Sequence, residues 1–127
     1  MAREAVAELD GQMIEIDVWI RGRVNAAVKP IQVSDAAVAN WSDSDVRTLL
    51  VEMLLAVERE KNPGGEPPPV SLRGFSWIVS PAEGGVLVHL EMQSGTASAG
   101  PFAFDEAKLT DMINRVMTAP PASSLVH

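Results

Sequence analysis

The chain has 127 residues, 46% hydrophobic and 21% charged, with a formal net charge of −7 and no cysteine. That length and composition describe one globular domain, able to bury about two-thirds of its unfolded surface, and exclude a disordered chain. The acidic balance argues against nucleic acid and anionic lipid, which are bound by Lys and Arg neutralising phosphates, and the missing thiols exclude disulfides and thiolate metal sites.

No apolar run approaches the roughly 20 residues of a membrane span. The opening stretch, MAREAVAELDG, carries acids and lacks the apolar core of a signal peptide, so a cytoplasmic protein is expected. Ala2, Ala5, Val6 and Leu9 suit a short helix or a loose arm, while Asp10-Gly11 is a hairpin-type turn signal. From Gln12 to Val24 the period becomes two. Ile14, Ile16, Val18 and Ile20 point one way; Met13, Glu15, Asp17, Trp19 and Arg21 point the other, which predicts a strand with one buried face. Gly22 marks its end or a bulge. Residues 26–33, AAVKPIQV, predict a second strand at a sheet edge, because Pro30 cannot donate to a ladder. Ser34-Asp35 then caps a single turn leading through Asn40 to Trp41.

The stretch that organises the chain is Ser44 to Lys61, where Val46, Leu49, Leu50, Met53, Leu54 and Val57 recur at the spacing of one helix face. Ser42 and Asp45 have capping-box spacing, and Asn62-Pro63-Gly64-Gly65 stops the helix. Residues 64–69, GGEPPP, form a loop too short to separate domains. Two strands follow, Val70–Val79 and Gly85–Gln93, read as a hairpin around the five residues Ser80–Gly84. Thr96–Phe104 adds a further strand, weakened by Pro101. Asp105 caps the last helix, in which Leu109, Met112, Ile113, Val116 and Met117 repeat the helical spacing. The tail, residues 120–127, is expected to be disordered, leaving 1–119 as a single domain.

Hairpins separated by helices, without strict strand–helix alternation, predict an α+β fold. Its form is a two-layer sandwich, with an antiparallel sheet of four to five strands and two main helices on one face. The other face is then built from the alternate strand residues. Parity groups Glu15, Asp17, Trp19 and Arg21 with Arg73, Phe75 and Trp77 and with Leu87, His89 and Glu91. Aromatic rings on a charged face mark an interface, which makes Trp19, Phe75, Trp77 and Arg73 the candidate binding residues. The competing assignment turns Phe75 and Trp77 inward. A second candidate contact is Val51 with Leu55, four apart and outside the apolar arc of the long helix, where a two-fold partner helix would pack.

Catalytic candidates are few. His89 and Glu91 share a strand face that Asp17 joins, a set suited to general acid–base work. One histidine with carboxylates is a poor transition-metal set, and no metal or cofactor is expected. No G-x-S-x-G elbow occurs, and Gly95–Gly100 lacks the pattern of a phosphate loop. The sequence therefore predicts a small acidic, non-enzymatic binding or accessory protein, homodimeric, meeting a protein client or a small ligand. The alternative is a small-ligand enzyme built on His89 and a carboxylate.

Overall fold

The computed structural model describes residues 13–34, 37–65, 72 and 74–118. Expectations for residues 2–9, for Asp10-Gly11, for Asp35, for Arg73 and for the tail lie outside the described residues. The elements run β1 (Met13–Ile20), β2 (Ala27–Gln32), a 3-10 turn (Val38–Asn40), α1 (Asp43–Lys61), β3 (Ser76–Ala82), β4 (Gly85–Met92), β5 (Gly95–Phe102) and α2 (Glu106–Thr118). The five strands form one sheet in the order β2-β1-β5-β4-β3, with every neighbouring pair antiparallel. The fold is α+β, as the strand and helix order predicts.

The alternation of β1 is realised residue by residue: Ile16, Val18 and Ile20 are buried, while Glu15, Asp17 and Trp19 are exposed. Cross-strand partners share a face. Ile16 pairs with Ala99, Val18 with Ala97, Val88 with Ala99 and Leu90 with Ala97, so these side chains form the inner layer. Helix α1 lies over β1, β2 and β5, while α2 packs beside it and against β3, so both helices clothe that one side. In α1, Val46, Leu49, Leu50, Met53, Leu54, Ala56 and Val57 are buried; in α2, Leu109, Met112, Ile113 and Val116 are. Trp41 closes the core ahead of α1, its ring 5.3 Å from that of Phe102.

The caps of α1 and α2 form as the sequence predicts, whereas the 3-10 turn begins after Ala37 with no side-chain cap. The Ser42 amide donates to Asp45 Oδ2 at 2.9 Å and the Asp45 amide donates to Ser42 Oγ at 3.3 Å. The Lys108 amide donates to Asp105 Oδ2 at 2.9 Å at the start of α2. Ion pairs then fix the layers. Arg115 of α2 holds Asp43 of α1 through two bonds of 2.8 Å, and Glu60 receives Lys29 at 2.7 Å and Arg23 at 3.3 Å.

Two strands differ from expectation. β3 begins at Ser76 and runs through Ala82, so its hairpin loop is the two residues Glu83-Gly84, with Gly84 at φ 94°. The stretch expected as a weak extra strand is β5, the centre of the sheet. Its small residues are what let α1 approach, Ala97 and Ala99 being fully buried beneath the helix layer. Pro101 does not interrupt this, because pairing with β1 stops at Ala99 and the register to β4 shifts between Val86 and Val88.

Candidate functional site

With both helices on one side, the other side of the sheet has no covering layer among the described residues. Its side chains fall into rows across the sheet, and the middle row crosses all five strands. The middle row is Val28 on β2, Asp17 on β1, Ser98 on β5, His89 on β4 and Ile78 on β3. The row beside it sets Trp19 against Thr96, Glu91 and Ser76. On the far side of the middle row, Glu15 opposes Pro30 and Leu87 opposes Ser80.

This face collects apolar surface. The exposed large hydrophobic residues of the described strands are Met13, Trp19, Val28 and Ile78, at 50%, 52%, 58% and 57% exposure, and all four lie on it. Trp19 is held in place by its indole N–H, which donates to the Arg23 carbonyl at 2.9 Å. Single exposed aliphatics are ordinary on a protein surface, but four on the face that no helix covers are a concentration.

At the centre sits His89, half-buried, with Nδ1 2.8 Å from Ser98 Oγ and Nε2 3.2 Å from Ser80 Oγ. A neutral imidazole has one donor and one acceptor nitrogen, so one serine donates to the ring and the other accepts from it. A shallow depression of about 440 Å3 lies over this group, lined by Ser76, Trp77, Ile78, His89, Leu90, Glu91, Thr96 and Ser98.

The face brings together His89, Glu91 and Asp17, as the period-two reading predicts, but the imidazole is engaged by hydroxyls. Asp17 opposes Ser98 on the side away from His89, so it does not orient the ring as a catalytic carboxylate orients a histidine. Ser98 lies mid-strand with partners on both sides, in β1 and in β4. Its backbone is committed to two ladders, leaving no pair of convergent N–H groups to hold an oxyanion. Among the described residues no three His, Asp or Glu side chains gather as a metal set.

Trp77 and Phe75 are corrections to the expected shared face. Trp77 pairs with Leu90 rather than with a neighbour of His89's parity, and both rings pack half-buried against the core on the helix side. Ile78, Ser76 and Ser80 take their place, and Val28 lies in the same row as Ile78. Val51 and Leu55 are half-buried on α1, outside the buried core cluster.

Charges are sorted between the two sides. The strand residues of the open face include Glu15, Asp17 and Glu91 and no lysine or arginine; Arg21, just past β1 with the same parity, borders a hollow with Glu91, and its Nε–H donates to the Gln93 carbonyl at 2.9 Å. The ion pairs among the described residues lie elsewhere, on the helices and the β1–β2 hairpin. There, hydrogen bonding from Arg115 holds the Asp43 carboxyl below its ordinary value, and Lys29 does the same for Glu60. No helix among the described residues is long and apolar enough to cross a membrane. Comparison with protein-family models, with curated proteins and with solved structures gives no match to this chain.

Proposed function

We propose that this is a non-enzymatic binding protein whose working surface is the open face of the sheet. One observation carries the reading: Met13, Trp19, Val28 and Ile78 all stand exposed on the side that the helices leave bare. Aromatic and aliphatic anchors set among polar groups are the composition of a protein interface, where they supply contact area with few rotors to freeze. The Ser80–His89–Ser98 chain fits this as a polar centre that holds three strands in register. The outer strip of Val51 and Leu55 supports a homodimer paired along α1, an arrangement that leaves the sheet face free for its partner.

The test places a photo-crosslinking residue at Ile78, or at Glu106 on the helix side, in the cells that make the protein. The reading predicts one defined polypeptide adduct from position 78, abolished by Trp19→Ser, and none from position 106. Adducts from position 106 alone, or none from either, would overturn it. Trp19→Ser and Ile78→Ser should each leave the protein folded at a cost of about 1–2 kcal/mol, since each side chain is about half exposed.

A further inference from the structure

We infer that the open face receives a polypeptide segment in which lysine or arginine is interspersed with aliphatic side chains. This rests on the interface reading above and names its partner. Glu15, Asp17 and Glu91 stand on the face with no ion pair among the described residues. Glu15 and Asp17 are set beside apolar groups, while Glu91 stands between Thr96 and Ser76. Along β1 the open side reads Met13, Glu15, Asp17, Trp19, and Asp17 opposes Val28 across the ladder to β2. A lysine laid here rests its aliphatic stem on Trp19 or Val28 while its ammonium meets Asp17, the way long cationic side chains divide between apolar and polar surroundings. The helix side offers no such single-sign surface, because Arg47, Arg59, Lys61, Lys108 and Arg115 are interspersed there with the acids.

The face is small. Five strands at about 4.8 Å and seven or eight residues at about 3.3 Å give a flat footprint of roughly 600 Å2, a size that suits a segment. It is also too wide for one small cation, since Val28 and Ile78 lie four strand spacings apart, about 19 Å. A second copy of this chain fits poorly. A two-fold axis parallel to β5 sets Asp17 against His89 and Val28 against Ile78 of the second copy, but also Glu15 against Leu87 and Glu91 against Trp19. An axis along the middle row sets Asp17 against Asp17. The first leaves Glu15 and Glu91, and the second Asp17, buried without a cation, which is costly. Nucleic acid and anionic lipid are repelled by the same carboxylates.

The experiment titrates the isotope-labelled protein with three soluble 12-residue peptides that share one aliphatic pattern and carry lysine, glutamine or glutamate between. The lysine peptide should shift the amide signals of Val28 and Ile78 and the Trp19 indole, and bind about tenfold tighter than the glutamine peptide. The glutamate peptide should not bind. In the Glu15→Gln, Asp17→Asn, Glu91→Gln triple variant the tenfold preference should vanish; Asp17→Asn alone, should the triple variant not fold, should reduce it two- to threefold. Equal binding of the lysine and glutamine peptides at the open face would overturn the cationic partner and keep the interface. Line broadening of open-face signals with protein concentration alone would assign the face to a second copy and overturn the inference. If no peptide perturbs the face, or the lysine peptide maps to the helix side, both the inference and the interface reading fail.

Discussion

At Gly95 the absence of one methyl group decides how the central strand meets its neighbour. A Cβ built there runs into the Trp19 carbonyl oxygen and lies 3.1 Å from Ile20 Cα, and both are backbone that side-chain rotation cannot move. Gly95→Ala should therefore cost about 1–3 kcal/mol in chemical denaturation, in the range of an overpacked core. Because the displaced backbone carries Trp19, the indole bond to Arg23 should also be disturbed and Trp19 emission should change. His89 is a second instance of a residue read through its neighbours. Its two serine partners on the flanking strands make it a cross-strand tie, although its spacing to Glu91 alone pointed to acid–base work.

The long helix divides its aliphatic residues between two environments. Leu50 and Leu54 are buried, whereas Leu55 is half-buried outside the core cluster. Leu50→Ala should cost about 2–5 kcal/mol through the cavity it leaves. Leu55→Glu should keep the fold and shift any dimer towards monomer in sedimentation; unfolding by Leu55→Glu would place that residue in the core. The contact between Asp43 and Arg115 ties the start of α1 to α2. The Asp43 pKa is lowered in the folded chain by its bond to Arg115. The stabilisation is thus present above the ordinary aspartate value of about 3.9 and lost as the pH falls through the lowered one. Both side chains are about half exposed, so Arg115→Ala should lower stability only slightly at neutral pH. The difference from wild type should close as the pH falls below the ordinary aspartate range in acid titrations of stability.

Much of this architecture was legible from period and punctuation. The β1 alternation, the α1 repeat with its Ser42–Asp45 box, and the Asp105 cap each state their element in local chemistry. Parity across the β3–β4 hairpin was not. A five-residue loop at Ser80–Gly84 pairs Val79 with Gly85 and turns Trp77 towards the face of His89. The actual two-residue loop pairs Ala82 with Gly85, and that odd shift moves every β3 side chain to the other side. Ile78 therefore stands where Trp77 was expected. The central place of β5 was hidden as well, because glycine, alanine and serine are poor strand formers alone and gain from lying under a helix.

Among the described residues coverage is one-sided: the core lies between sheet and helices, and an acidic-apolar face is left bare. The absence of native cysteine makes this directly measurable by thiol labelling of single-cysteine variants. Val28→Cys and Ile78→Cys should label near the rate of an unstructured thiol, while Val88→Cys and Ala97→Cys should be protected until the protein unfolds. Equal protection at positions 78 and 88 in dilute monomer would mean that both sides of the sheet are covered, and would contradict the account.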